Sequence, residues 1–141
     1  MFSFTYKEEW IELGDYNIST ENDIVMVRQM ARQCAKKCRM GIVDQTRITT
    51  AVSELLRNMF QYAGGGQVVI SEGDVDNHHA LIFTFVDKGP GIENLEQAMS
   101  DGYTSGGGMG YGLPGAKRLV DFFEIYSETN VGTTIRLMKW K

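Results

Sequence analysis

The first clear pattern along the chain is helical. Residues three or four positions apart form one apolar face: Ile24, Val27, Ala31, Cys34 and Cys38. Ser19 and Thr20 can cap the start of this helix, and Asp23 stands in an acidic first turn. We expect the helix to end at Gly41, because glycine is common just past a helix C-terminus.

A second helical pattern follows directly. Its apolar face consists of Ile48, Val52, Leu55, Leu56 and Met59. Asp44 can cap its N-terminus, and the helix should run to about Ala63 because Gly64, Gly65 and Gly66 then interrupt the pattern. The pattern predicts one long helix ahead of this glycine break.

The segments after the break have the composition of strands. Residues 67–71 and 80–86 are rich in β-branched and aromatic side chains, which predicts two strands. Residues 73–79 would turn the chain between them as a hairpin. At the C-terminal end, residues 125–127 should pair with residues 134–140 in a last hairpin.

The remaining segments are harder to assign. We expect a short helix over about residues 93–99, then a glycine-rich stretch over residues 102–115, then a helix to about Phe122. The N-terminal segment predicts one or two strands with a turn at Gly14 and Asp15.

This order of elements predicts an α+β protein. We expect a two-layer sandwich in which a mixed, mostly antiparallel sheet carries helices on one face. A chain of 141 residues fits a single domain over residues 1–141, with residues 1–17 as an added N-terminal strand segment.

Composition narrows the functional classes. Hydrophobic residues make up 43% and charged residues 23%, as in an ordinary globular protein. The net charge of −4 lacks the basic field of a nucleic-acid binder, so we expect no nucleic-acid partner. No apolar run approaches the roughly 20 residues that cross a bilayer, and no signal peptide is evident, so we expect a cytoplasmic protein without a membrane partner.

The cysteines and histidines do not predict a metal site. Cys34 and Cys38 are four residues apart, but a metal site needs further ligands near them. His78 and His79 should lie in a loop between strands, with no spacing that ties them to the cysteines. We therefore expect two buried, reduced thiols that pack as small apolar side chains.

One candidate pair for chemistry lies on the second helix. Glu54 and Asn58 are four residues apart and therefore share a helix face. A carboxylate there can accept a proton, and an amide oxygen beside it can ligate magnesium, which prefers hard oxygen donors. A solvated polar flank is the alternative interpretation.

A second candidate lies where the second central strand ends. Asp87, Gly89 and Gly91 follow a hydrophobic strand. A carboxylate at this point can accept a hydrogen bond from an exocyclic amine, and the glycines allow the backbone to approach a flat ring. A strand-ending turn would use the same residue types.

The third candidate is the glycine-rich loop, which has five glycines among residues 106–112. Backbone N–H groups in such a loop, ahead of a helix, suit a polyphosphate. The P-loop pattern is absent, and a dinucleotide fingerprint fails because no βαβ unit surrounds it.

Together with Gly132-Thr133, these segments resemble the boxes of the GHKL superfamily, which includes gyrase, the heat-shock chaperone ATPase, histidine kinases and the mismatch-repair ATPase. The joint match spans about residues 18–140. The resemblance implies a Bergerat-type ATP-binding fold with ATP and magnesium as cofactors. The implied ATP-binding residues are Asn58, Asp87, Gly89, Gly91, Gly106, Gly108, Gly110, Gly112, Leu113 and Thr133.

The resemblance also implies individual roles. Glu54 would be the catalytic base, Asn58 the magnesium ligand, and Asp87 the acceptor of the adenine amine. The cation that neutralises the terminal phosphate stays open among Lys117, Arg118 and Arg57. Their order is not decided by the sequence.

Within the superfamily, residues 43–55 and 110–119 are most similar to stand-alone serine/threonine-protein kinases of bacterial stress-response modules, the stressosome switch kinases. Anti-sigma kinases that bind a sigma factor directly usually carry an arginine ahead of the lid glycines, whereas this chain has Tyr103, Thr104 and Ser105. The implied partners are STAS-domain scaffold proteins as substrates and a serine phosphatase as a target of activation. The alternatives are an anti-sigma factor kinase, a non-catalytic nucleotide-gated module and a plain ATPase.

Overall fold

The computed structural model describes residues 10–99 and 113–141. In chain order, their helices and strands are β1 (Ile11–Ile18), α1 (Glu21–Lys37), α2 (Ile42–Ala63), β2 (Gly66–Val75), β3 (His78–Asp87), α3 (Leu95–Ala98), α4 (Leu113–Arg118), β4 (Phe122–Glu128) and β5 (Gly132–Trp140). The strands form one sheet in the spatial order β1-β2-β3-β5-β4. Every pairing between these strands is antiparallel.

The helices cover one face of this sheet. Alternate residues of the central strands, such as Ile70, Phe83 and Leu137, share a core with the apolar faces of α1, α2 and α4. The intervening residues, such as Ile82 and Met138, belong to a smaller cluster with Trp10 on the other face. The predicted α+β sandwich with helices on one face is confirmed, and the described sheet is antiparallel rather than mixed.

Thr20 caps α1 as the sequence predicts. Its hydroxyl accepts a hydrogen bond from the N–H of Asp23 at 3.2 Å, and the Asp23 carboxylate accepts from the N–H of Thr20 at 2.9 Å. This reciprocal arrangement is a capping box. Hydrogen bonds from the N–H groups of Ser19 and Thr20 lower the pKa of Asp23.

The boundary between α1 and α2 differs from the prediction. Helix α1 ends at Lys37, and Gly41 is the N-cap of α2 instead of the stop of α1. Asp44 therefore lies in the first turn of α2 and does not cap it. The far end of α2 agrees with the prediction, because Gly64 caps it in the left-handed conformation at φ 75°.

The predicted turn at Gly14 and Asp15 is wrong. Both residues lie inside β1 and pair with Ile70 and Val69 of β2, and the register shifts between Glu12 and Gly14. Instead of a turn, the chain forms a β-bulge at this point of an edge strand, where residues that favour turns are also common. The long ladder with β2 overrides the local signal.

Two further boundaries move. Strands β2 and β3 extend into the predicted turn, so that only Asp76 and Asn77, both at positive φ, lie between them. Phe122, predicted as a helix end, is the first residue of β4, because α4 stops at Arg118. Both predicted hairpins are present. No helix among the described residues is both long and apolar enough to cross a bilayer.

Candidate functional site

A cleft that opens to solvent lies between the last turns of α2 and the adjoining ends of β3 and β5. The residues around it are Leu55, Asn58, Met59, Tyr62, Ala63, Phe85, Asp87, Pro90, Gly91, Ile92, Thr133 and Ile135. Most of these side chains are apolar, with a few polar groups among them, which is the usual lining of a small-molecule site. Asn58, Asp87, Gly91 and Thr133 of this lining are predicted from the sequence, whereas Tyr62 and the apolar walls are not.

Asp87 is the acidic group of the cleft. Its Oδ1 accepts hydrogen bonds from the N–H of Gly89 at 2.9 Å and from the N–H of Thr133 at 3.3 Å. Burial raises the pKa of this carboxyl, and the two N–H groups oppose the rise. Its Oδ2 has no hydrogen-bond partner within residues 10–99 and 113–141, so it can accept a hydrogen bond from a bound molecule.

The glycines of the Asp87 segment are required by close contacts. A Cβ at Gly89 would lie 2.5 Å from the Cβ of Ala63, the last residue of α2. A Cβ at Gly91 would lie 2.4 Å from the carbonyl oxygen of Glu128, and Gly91 has φ +78°. These glycines allow the loop after β3 to pack against α2 and the β4–β5 turn, which defines the floor of the cleft.

Ser127 is a site residue that sequence reasoning missed. Its hydroxyl lies 2.8 Å from the Thr133 hydroxyl and accepts a hydrogen bond from the N–H of Ile92 at 2.7 Å. It thereby connects the β4–β5 hairpin to the loop that follows β3. No local motif marks it, since only the pairing of Ser127 with Thr133 across the hairpin brings it here.

Asn58 and Glu54 are placed one turn apart on α2, as predicted. Asn58 lines the cleft, and its amide has no hydrogen-bond partner among the described residues. The Glu54 carboxylate lies outside the cleft lining and 3.4 Å from the Arg57 guanidinium, with 42% of its side chain exposed. An ion pair this exposed holds its partners weakly, so both side chains are free to reorient toward a ligand.

The lid predictions stay predictions. Gly106, Gly108, Gly110 and Gly112 lie outside the described residues. Leu113, the first residue of α4, is fully buried in the core and does not line the cleft. Its predicted contact with nucleotide stays a prediction.

The candidate cations occupy different surroundings. Lys117 and Arg118 are exposed in the last turn of α4. Arg57 is paired with Glu54. Since none of these three lines the cleft, the described geometry does not rank them for the neutralisation of a phosphate.

Comparisons with known proteins agree with this geometry. Residues 43–141 match the family described as histidine kinase-, DNA gyrase B-, and HSP90-like ATPase. The chain is 47% identical over 123 residues to serine/threonine-protein kinase RsbT of Bacillus subtilis, covering 87% of this chain and 92% of that protein. It is 38% identical over 106 residues to an anti-sigma F factor of Clostridium perfringens, covering 70% and 74%.

Solved structures share the fold. The catalytic domain of histidine kinase ThkA aligns with a TM-score of 0.55 at 16% identity, over 92% of this chain and 97% of that domain. A chain from the SiaB–SiaC complex of Pseudomonas aeruginosa aligns with a TM-score of 0.56 at 9% identity, over 90% of both chains. The chain therefore belongs to the histidine kinase-, DNA gyrase B- and HSP90-like ATPase family, and within it is a serine/threonine-protein kinase.

Proposed function

We propose that this chain transfers the γ-phosphate of ATP to a serine or threonine hydroxyl of a STAS-domain partner in a bacterial stress-response partner-switching module. The observation that carries the proposal is the Asp87 cleft, with Asn58 in its wall and Glu54 one turn away on the same helix. One face of α2 thus joins a nucleotide pocket to a group that can accept a proton.

Asp87 is the residue we assign to adenine recognition. Its Oδ1 is engaged by two backbone N–H groups, and its Oδ2 is available for the exocyclic amine. Gly89 and Gly91 shape the pocket, and Thr133 supports Asp87 through its N–H. A hydrogen bond to a charged acceptor in a partly buried site contributes about 1.5–3 kcal/mol, enough to select an amine over a carbonyl at this position.

Asn58 is the residue we assign to magnesium. Its amide oxygen is a hard donor, has no protein partner among the described residues and lies at the cleft. When bound there with ATP, the ion would supply charge neutralisation between the phosphates. Gly106, Gly108, Gly110 and Gly112 would donate backbone N–H groups to the same phosphates.

Glu54 is the residue we assign as general base. The partner's hydroxyl oxygen attacks the γ-phosphorus, an O–P bond forms, and the bond from that phosphorus to the β–γ bridging oxygen breaks. ADP leaves with the bond's electrons, and the hydroxyl proton passes to Glu54. Positioned proton transfer contributes typically 10²–10⁴-fold, whereas most of the acceleration comes from alignment and charge neutralisation.

The decisive experiment measures phosphate transfer to a purified STAS-domain protein. Intact-mass spectrometry would follow that partner after incubation with this chain, magnesium and ATP. We expect the gain of one phosphate with wild-type protein and a rate at least 100-fold lower with Glu54→Gln. Glu21→Gln, which changes an exposed carboxylate on α1, is the matched control and should transfer at the wild-type rate.

The outcomes separate the alternatives. Unchanged transfer by Glu54→Gln would remove Glu54 from the role of base. ATP turnover without a partner would indicate a plain ATPase, in which water replaces the hydroxyl. ATP binding and partner binding without transfer would indicate a nucleotide-gated module.

The expected downstream step is activation of a serine phosphatase by the kinase after its release. A second candidate is an anti-sigma factor kinase that binds a sigma factor directly. It is favoured by the 38% identity to an anti-sigma F factor. Co-purification with a sigma factor rather than with a phosphatase would select this second candidate.

A further inference from the structure

A mixed cluster of metal-ligating side chains lies at the end of the sheet far from the cleft. Cys38 Sγ is 3.4 Å from Glu72 Oε2, and His79 Nε2 is 3.2 Å from the same oxygen. The three ligand atoms all lie within 4.8 Å of one another. Among the described residues, this combination of thiol, imidazole and carboxylate is the one group of three or more such side chains close enough to share an ion.

The spacing of these atoms is that of a tetrahedral ion. Zinc bonds of about 2.3 Å to sulfur and about 2.0–2.2 Å to nitrogen or oxygen put neighbouring ligand atoms roughly 3.3–3.7 Å apart. The two shorter separations in the cluster are close to that range. The His79 side chain is 40% exposed, so a small rotation can close the remaining separation between its Nε2 and Cys38 Sγ.

The second nitrogen of His79 already has the partner that a ligating histidine needs. Its Nδ1 lies 3.1 Å from Asp74 Oδ1. A neutral imidazole that donates its Nδ1–H to this carboxylate presents the Nε2 lone pair toward Glu72. A carboxylate on the outer nitrogen in this way fixes the tautomer and ring orientation of metal-bound histidines.

The fold holds these groups on rigid elements. Cys38 is the C-cap of α1 and only 5% exposed. Glu72 and His79 come from paired strands of the β2–β3 hairpin, and the His79 carbonyl accepts a hydrogen bond from the N–H of Lys141 at 2.9 Å. A bound ion would therefore connect α1 directly to the sheet.

We propose that Cys38, Glu72 and His79 bind a zinc-class divalent transition metal ion, with Asp74 positioning His79 and a fourth position open to water. This ligand set, with one sulfur, one nitrogen and one oxygen, suits borderline-soft ions and not magnesium. The ion would replace the thiol proton. Because the ion and the proton compete for the Cys38 sulfur, metal affinity should increase with pH.

A purely protonic network is the competing explanation. There, a His79 imidazolium donates to Asp74 and Glu72, and the Cys38 thiol donates to Glu72. Hydrogen bonds to Asp74 and Glu72 raise the pKa of His79, which is compatible with this state. The two explanations predict opposite results when zinc is added to the metal-free chain: the metal site binds it, and the protonic network does not.

The test is titration of the full metal-free chain with cobalt(II) under reducing conditions and without nucleotide, followed by zinc competition. We expect one ion per chain and a thiolate-to-cobalt charge-transfer band. Cys38→Ser should abolish the band, and His79→Asn should weaken zinc affinity at least 100-fold. Asp74→Asn should weaken it about tenfold, as for outer partners of ligating histidines.

Two neighbours provide matched controls. Cys34→Ser removes the other buried thiol of α1, and His78→Asn removes the adjacent imidazole, whose ring stacks on Trp140 at 4.9 Å. Both should keep the band and the zinc affinity within about twofold. Thermal melts in chelator show whether each variant folds. Equal zinc affinity in wild type and His79→Asn, or a cobalt complex without sulfur charge transfer, overturns the proposal.

Discussion

Two carboxylates at opposite ends of the sheet are held in opposite ways. Asp87 accepts hydrogen bonds from the backbone N–H groups of Gly89 and Thr133, whereas Glu72 is contacted by the side chains of Cys38 and His79. Backbone donors keep their protons at every pH at which the protein folds. Side-chain donors titrate and can exchange a proton for an ion.

This difference between backbone and side-chain donors suits the two proposed ligands, a nucleotide at Asp87 and a metal ion at Glu72. A site with permanent donors presents the same carboxylate acceptor to a neutral ring wherever Asp87 is ionised. A site with titratable donors responds to pH and metal. His79 and Asp87 are eight residues apart along β3, which corresponds to about 26 Å, so the ends should act independently.

The largest effect should come from Gly132→Ala, which breaks the backbone frame of the Asp87 end. A Cβ at this position would lie 2.1 Å from the carbonyl oxygen of Asp87, and Gly132 has φ +145°, where side chains are rarely accommodated. We expect the free energy of unfolding to fall by about 3 kcal/mol or more, measured by denaturant melts.

Gly115→Ala is the matched control for this substitution. Within residues 10–99 and 113–141, no atom outside the local backbone lies within 4 Å of its added Cβ, and Gly115 belongs to helix α4. The substitution should leave stability unchanged or raise it by about 0.5–1 kcal/mol. Similar losses at both glycines would mean that the close approach at Gly132 is unimportant.

The next largest effect should be on nucleotide affinity in Asp87→Asn. The new amide keeps Oδ1 for the N–H groups of Gly89 and Thr133, but it replaces Oδ2, the proposed acceptor for the adenine amine, by a donor. We expect ATP to bind about 100-fold more weakly, about 2.7 kcal/mol, with an unchanged fold. Calorimetric titration with ATP, together with a thermal melt, measures both.

Glu72→Gln makes the same chemical change at the other end. It should leave ATP affinity within about twofold, because this end of the sheet does not contact the cleft. A comparable loss of ATP affinity in Glu72→Gln would show that the two ends of the sheet are coupled, contrary to their expected independence.

An intermediate effect is expected from Thr20→Ala. The variant loses the hydroxyl that accepts the N–H of Asp23, and such caps contribute about 1 kcal/mol. The free energy of unfolding should fall by that amount, with ATP and zinc affinities unchanged. If Thr20→Ala alone lowered the affinity for ATP or zinc, global stability rather than local geometry would control binding at both ends of the sheet.

The smallest effect should be a pH dependence that belongs to His79. Hydrogen bonds to Asp74 and then Glu72 raise its pKa above the usual 6.5. A raised folded-state pKa stabilises the protein fully below 6.5, and this stabilisation is lost as pH rises through the folded value. The advantage of wild type over His79→Asn in unfolding free energy should therefore shrink from mildly acidic to mildly alkaline pH.

This measurement needs chelator, so that the proton alone is observed. The expected change in unfolding free energy is small because 40% of the His79 side chain is exposed and solvent screens its charge. If the unfolding free energies of wild type and His79→Asn differ by the same amount at all of these pH values, the His79 imidazolium does not stabilise this network.

The sequence predicts the features that depend on local chemistry. Helix periodicity locates α2 up to Ala63, and Thr20 is the N-cap of α1, one of the two caps that the sequence offers there. Asp87 and Asn58 meet at one cleft because each is fixed by a motif on an adjacent element. The helix and cap predictions are confirmed because neighbouring residues carry the information, whereas the roles of Asp87 and Asn58 in binding stay predictions.

The features that sequence reasoning missed depend on strand register. Ser127 contacts Thr133 and Ile92 of the cleft lining because it pairs with Thr133 across the hairpin. His79 meets Cys38 only because β2 and β3 pair in one register and α1 packs over that face, which no spacing along the chain reveals. Pairing with β2 likewise keeps Gly14 and Asp15 in strand β1, although local propensity assigns them to a turn.

The raised pKa of Asp87 has a consequence for evolution in the laboratory. Burial of this carboxyl raises its pKa, so keeping it ionised at neutral pH lowers the stability of the ligand-free fold. A library selected only for heat resistance, without ATP, should enrich Asp87→Asn, which keeps an oxygen for the N–H groups of Gly89 and Thr133 but loses the proposed acceptor for the adenine amine. Selection in the presence of saturating nucleotide would reverse that preference, since the ligand stabilises only chains that still bind it.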